Sequence, residues 1–198
     1  GGGNGTITYS ADLGTIAQNS AGTTGGFIQG GDGADKISFN GTETGGVATL
    51  LYTNASESNS ESFDTVSSNS NNASGTDVLV FNVGQIHSAD TRVSAAGTIN
   101  GAEVYTGVNG IVTFTSTFSD NITDQVSALD VNTNQNGGAV ALFSKGTDAT
   151  TYLFMQGGTA GTADDLVVKV NEASVNNFSG IRTIGNGSAV ALDIDGID

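Results

Sequence analysis

Residues 30–38 read Gly30-Gly31-Asp32-Gly33-Ala34-Asp35-Lys36-Ile37-Ser38. Three glycines and two carboxylates within residues 30–35 suit one kind of chemistry, the binding of a hard divalent cation through oxygen. Calcium takes about six to eight oxygens, from carboxylates and from backbone carbonyls. Glycine accepts positive φ because it has no Cβ to clash, so a glycine-rich loop can turn several carbonyls inward. On that expectation Gly30, Gly31 and Gly33 supply backbone freedom and carbonyls. Asp35 supplies the carboxylate, while Asp32 adds a second charge or stays solvated. Ile37 follows as a strand residue directed into the core. The plain alternative is an acidic, glycine-rich hairpin turn. One loop cannot fill a calcium shell, and the preceding nonapeptide, 21–29, keeps Gly22 and Ile28 but has Gly26 where an acid is wanted. The remaining ligands must come from elsewhere in the chain, from an upstream segment or from a neighbouring molecule.

Other constellations are weaker. Asp164-Asp165 is either an ion site at a hairpin turn or a solvated turn. Asp193-Ile194-Asp195-Gly196-Ile197-Asp198 has Ile197 where a helical calcium loop needs oxygen, so it reads as an acidic chain end. Residues 132–137 fail the same pattern, with Phe143 at the glutamate position. His87 is the single histidine and there is no cysteine, which excludes zinc sites of the His/Cys type. Serine-histidine-acid chemistry would rest on His87 alone, without a nucleophile motif. Paired-carboxylate glycosidase chemistry has residues enough, but with no tryptophan no sugar-stacking cleft is indicated. The expectation is that this chain is not an enzyme. Sequons begin at Asn4, Asn40, Asn54, Asn72, Asn121, Asn177 and Asn186, as chance supplies in a chain rich in Asn, Ser and Thr.

The elements around the loop are short. Ile7, Ile16, Ile28 and Ile37 stand at spacings of 9, 12 and 9, each in a β-prone triplet between glycine-rich or polar turns. Such spacing predicts a solenoid, with two short strands per rung. Residues 48–53 and 76–83 read as strands on either side of a polar excursion over 58–75, and 102–107 and 111–118 read as alternating strands. Residues 119–132 form the one good helix candidate, with Ile122, Val126 and Leu129 on one face and Ser119, Asp120 and Asn121 as caps. Residues 139–144, 150–156 and 165–170 predict an antiparallel meander, and 188–196 a final strand. Residues 40–46 are the best candidate boundary.

Composition limits the partners. The 198 residues carry 20 acids against 5 bases, a net charge of −15, which argues against nucleic acid. That charge either keeps a surface soluble or is partly cancelled by divalent cations that complete the fold. Thirty glycines and no proline suit a β-rich chain whose tight turns are built from Gly, Asn and Asp. No stretch is apolar enough to span a bilayer, and no membrane insertion is expected.

The order of these features resembles the C-terminal end of RTX proteins, which carry calcium-binding nonapeptide repeats and leave the cell by type I secretion. Residues 30–39 hold the place of the last nonapeptide. Phe63-Asp64-Thr65-Val66 and Gly75-Thr76-Asp77-Val78-Leu79 hold the places of the aromatic-Asp and Gly-x-Asp strands that follow. The run from the helix through residue 170 is similar to the tails of RTX surface-layer proteins and adhesins. The resemblance covers roughly residues 26–182, with one clear nonapeptide rather than a row, and residues 84–118 have no place on the family pattern. It implies Ca2+ at Gly30, Gly31, Asp32, Gly33 and Asp35, with Asp64 and Asp77 as further candidates beside the Asp164-Asp165 pair already noted. It also implies an all-β fold. A short parallel β-roll or β-solenoid over 1–45 would run into a β-rich C-terminal part over 46–198, with one short helix near 120–131, packed as one continuous unit. The expected function is structural: a calcium-dependent, extracellular protein that self-assembles at the cell surface as a layer or filament. Its partners would be its own copies, with cell-surface polysaccharide as a further class. The alternative is the calcium-dependent folding and secretion module of a larger exoenzyme or adhesin.

Overall fold

A computed structural model describes residues 6–9, 28–39, 47–68, 78–83, 91–133, 137–144, 150–171, 181–184 and 189–193. The strands are β1 (Thr6–Tyr9), β2 (Lys36–Phe39), β3 (Val47–Leu51), β4 (Asp64–Ser68), β5 (Val78–Asn82), β6 (Thr91–Arg92) and β7 (Gly97–Ile99). After them come β8 (Ala102–Val108), β9 (Ile111–Phe114), helix α1 (Ile122–Asn132), β10 (Ala139–Ser144), β11 (Thr151–Met155), β12 (Leu166–Asn171), β13 (Arg182–Ile184) and β14 (Ala189–Asp193). Two 3-10 turns, Ala55–Glu57 and Thr162–Asp164, precede β4 and β12.

The protein is mostly β, as expected. Among the described residues, a ten-stranded mixed sheet runs β1-β2-β4-β12-β11-β10-β9-β8-β7, with β6 also paired to β10, and a four-stranded sheet runs β13-β14-β5-β3. The expected meander is present: β10, β11 and β12 pair antiparallel in chain order. Their sequences read as near-continuous apolar runs because both faces of these strands are buried. Val140, Leu142, Leu153, Met155, Leu166, Val168 and Val170 point to one side, where they pack with Leu50, Tyr52, Phe81 and Val190 of the small sheet and its flanks. Ala139, Ala141, Phe143, Tyr152, Phe154 and Val167 point to the other, where they pack with Val126, Ala128 and Leu129 of α1 and with Tyr105 of β8. Period-2 alternation thus builds two cores from one set of strands. Each fully buried Leu or Phe contributes about 1.5–3 kcal/mol of transfer free energy.

Helix α1 starts one residue after Asn121, whose side chain accepts from the Thr123 N–H at 2.8 Å. Its apolar face, Val126 and Leu129 with Ile122 half-buried, is the face the spacing predicts.

The isoleucines are arranged differently from a row of nine-residue rungs. Ile7 faces Ile37 in the parallel pair β1-β2, and Ile37 faces Val66 in the parallel pair β2-β4. Ile28 instead bridges Leu50 beside the small sheet, where β3 pairs parallel with β5. The early strands therefore alternate between the two sheets, β1, β2 and β4 in the large one and Ile28, β3 and β5 in the small one. The repeat along either sheet is longer than two nine-residue units, because long connections such as 52–63 intervene. Ile16, the 21–27 part of the preceding nonapeptide and the 40–46 boundary lie outside the described residues.

Candidate metal centre

The glycine loop leads from the small sheet to the large one. Gly31 and Gly33 have φ of 90° and 120°, values that a Cβ disfavours, so this turn requires glycine at both places. Gly30 is needed for a different reason: a Cβ there would lie 2.5 Å from Asp35 Oδ2, because the Asp35 side chain folds back over Gly30. Asp35 is 2 % exposed and sits just before β2. Its backbone N–H donates to Asp64 Oδ1 at 2.8 Å, and its carbonyl accepts from the Thr65 N–H at 2.8 Å. Asp35 of the loop and the further candidate Asp64 are thus brought together by β2-β4 pairing. Asp32 goes elsewhere, since it is exposed and its Oδ1 accepts from Ser56 Oγ at 3.1 Å.

Asp64 is completely buried at the start of β4. Its Oδ2 accepts from the Tyr52 hydroxyl at 3.0 Å, and its N–H donates to Ser58 Oγ at 2.8 Å. Ser58 also donates to the Val167 carbonyl and accepts from the Val167 N–H at 3.1 Å, which ties the start of β12 to the same place. Burial pushes the Asp64 carboxyl up to about 6, and the neighbouring Asp35 and Glu57 carboxylates push the same way. The Asp35 N–H and the Tyr52 hydroxyl work against that rise. Tyr52 is raised well above the ordinary phenol range, first by burial and then by Asp64, so it donates as a neutral phenol.

Glu57 is the member that sequence reasoning missed. It is 3 % exposed in the first 3-10 turn, which Asn54 caps by accepting from the Ser56 N–H at 2.8 Å. Its Oε1 accepts from Gln29 Nε2 at 2.9 Å, from the Thr53 N–H at 3.3 Å and from the Thr53 hydroxyl. Its Oε2 is buried and has no hydrogen-bond partner. The carboxylates of Asp64, Glu57 and Asp35 all act electrostatically on the Tyr52 hydroxyl, which contacts Asp64. No periodicity points to Glu57, which lies between the expected strand at 48–53 and the polar excursion at 58–75; only the 3-10 turn directs it inward.

These groups fit a hard cation by donor chemistry. They offer oxygen only, one buried carboxylate oxygen lacks a partner, and Gly30 leaves the space that the Asp35 side chain uses. Among the described residues, no three Asp, Glu, His or Cys side chains are grouped so that they alone could hold a metal ion. Any complete shell would need backbone carbonyls or a further segment.

Asp164 and Asp165 lie at the same end of the large sheet. The strands β2, β4 and β12 run parallel, with Asp35 just before the first, Asp64 opening the second and Asp165 just before the third. Asp165 is fully buried rather than solvated, and its Oδ1 accepts from the Gly157 N–H at 2.9 Å. Burial raises its carboxyl to about 7; Gly157 opposes the rise, while Asp130 and Asp164 add to it. Asp77 and His87 lie outside the described residues. In comparison with known proteins, the chain matches no family model, and no curated protein or solved structure is significantly similar to it.

Proposed function

We propose that this chain is a calcium-dependent, secreted structural protein whose copies associate at the cell surface. The observation that carries the proposal is Glu57 Oε2: a buried carboxylate oxygen without a donor, beside Asp35 and Asp64, at the mouth of a glycine loop. Like charges held out of water this way are costly unless a proton or a cation joins them. Gly30, Gly31 and Gly33 let the loop carbonyls turn inward. Asp35 and Glu57 supply carboxylate oxygen, and Asp64 fixes the Asp35 backbone. Bound calcium would supply the missing positive charge and join the loop to the 3-10 turn.

The alternation of β1, β2 and β4 with Ile28, β3 and β5 between two sheets, every pair parallel, supports a short β-roll at this end. Among the described residues β1 pairs on one side only, so its outer edge offers hydrogen bonds to a further strand. Head-to-tail addition there would give an open filament or lattice, and calcium would relieve the repulsion between protomers of charge −15.

The test is to remove calcium with chelator, return it at millimolar level, and follow circular dichroism and light scattering together. Calcium-induced gain of β signal with growth in particle size is expected. An unchanged spectrum overturns the calcium role, and folding without growth overturns self-association in favour of a secretion module.

A further inference from the structure

The turn from β11 to β12 carries a second group of acids, separate from the glycine loop. Asp130 lies in the last turn of α1, Gln156 follows β11, and Asp164 and Asp165 precede β12. Asp130, Gln156 and Asp165 are 4 %, 0 % and 0 % exposed. The backbone of 157–161 is wrapped by these carboxylates. Gly157 N–H donates to Asp165 Oδ1, Thr159 N–H to Asp164 Oδ2 and Gly161 N–H to Asp130 Oδ2, each at 2.9 Å. Gly157 has no room for a side chain, since a Cβ there would lie 2.5 Å from Asp164 Oδ2 and 2.2 Å from the Asp164 carbonyl.

The N–H groups occupy one oxygen of each acid. Of the others, Asp130 Oδ1 accepts from Gln156 Nε2 at 3.0 Å, which also donates to the Asp130 carbonyl at 3.0 Å. Asp164 Oδ1, Asp165 Oδ2 and Gln156 Oε1 are buried and have no partner. None of the three acids takes part in an ion pair among the described residues. Asp130 also stands at the negative end of the α1 dipole, where a further negative charge is disfavoured. The arrangement thus has three mutually repelling carboxylates, an adverse helix end and three orphaned oxygens. Two of those are carboxylate and one is amide carbonyl, a mixed set of the kind that calcium accepts.

We propose that Gln156, Asp164 and Asp165, backed by Asp130, form a second calcium site. This site joins the C-terminal end of α1 to the β11-β12 turn. It does not depend on the glycine loop and stands whether or not that loop binds calcium.

The experiment is a calcium titration of the 15N-labelled full chain, following backbone amides by NMR. Wild-type protein should show shifts at Gly157, Thr159 and Gly161. Asp165→Asn should lose those shifts at the calcium level that saturates wild type, while keeping any response at Gly31 and Gly33. Asp35→Asn should do the reverse. In calcium-free buffer Asp165→Asn should melt no lower than wild type, because it removes an uncompensated charge. If it fails to fold, Asp130→Asn serves in its place. Unmoved amides at 157, 159 and 161 in wild type, or unchanged shifts in the variant, overturn the second site. Silence at Gly31 and Gly33 alone would overturn only the glycine-loop site.

Discussion

The Tyr52 hydroxyl donates to Asp64 Oδ2 at 3.0 Å, and this bond crosses from the small sheet to the large one. Tyr52 follows β3 of the small sheet, and Asp64 opens β4 of the large one. Both side chains are buried, so the Tyr52 hydroxyl and Asp64 Oδ2 depend on one another, while Asp64 Oδ1 is served by the Asp35 N–H. Tyr52→Phe removes the donor and leaves the carboxylate oxygen unsatisfied. A loss of about 1–3 kcal/mol is expected from urea denaturation. A loss below the error of that measurement would mean that water or another donor satisfies Asp64.

The acids at this end of the sheet set a pH dependence. An ordinary aspartate, as in the unfolded chain, titrates at 3.8, whereas folded Asp64 titrates at about 6 and Asp165 at about 7. The folded state therefore holds these protons more tightly than the unfolded state does. Their stabilising contribution is full below the unfolded value and is lost as pH rises through about 6 and 7. Calcium-free protein should thus melt at higher temperature near the acidic end of that window than at neutral pH. Asp64→Asn should flatten part of this slope. A wild-type slope of opposite sign in calcium-free buffer would refute the assignment.

Glu57 separates the cost of a buried charge from its use. Glu57→Gln keeps the shape and most acceptors but removes the charge next to Asp35 and Asp64. Calcium-free stability should be equal to or above that of wild type, and the calcium-induced rise in melting temperature should shrink. A full calcium response in the variant would remove Glu57 from the proposed site.

The two faces of β11 provide a test of the layering. Leu153 packs toward the small sheet and Phe154 toward α1, and both are fully buried. Leu153→Ala should cost about 2–5 kcal/mol and Phe154→Ala about 3–5 kcal/mol. Val108→Ala, at a position 66 % exposed, should change stability by no more than about 0.5 kcal/mol. Chemical denaturation of the three variants checks the ranking.

Two Asn-Gly turns provide a paired comparison. Gly101 and Gly110 have φ of 80° and 86°, but a Cβ at Gly110 would lie 2.9 Å from Ile181 Cδ1, whereas Gly101 has nothing within 4 Å. Gly101→Ala should cost about 1–2 kcal/mol from backbone strain alone. Gly110→Ala should cost measurably more, because Ile181 must also move. Equal losses in thermal melts would show that Ile181 yields freely.

The sequence alone determined what local rules can decide. The apolar runs at 139–144, 150–156 and 165–170 marked the strands of the meander, and the spacing of Ile122, Val126 and Leu129 marked α1 and its inner face. Asn100-Gly101 and Asn109-Gly110 take the positive φ values that two-residue hairpin turns require, a preference of the residues themselves. Gly31 and Gly33 were legible for the same reason, because a residue's own φ preference needs no distant partner.

Only the tertiary structure decided which strands are neighbours and which polar groups meet. The pairing of β4 with β12 joins residues about a hundred positions apart, and no local period encodes it. That pairing places Asp35, Asp64 and Asp165 at one end of one sheet. It is the packing around them that excludes water and makes their charges costly. Glu57, Tyr52, Asp130 and Gln156 read in the sequence as ordinary polar or core residues. Their role depends on burial and on the neighbour each meets, and both arise only when the sheets close on one another.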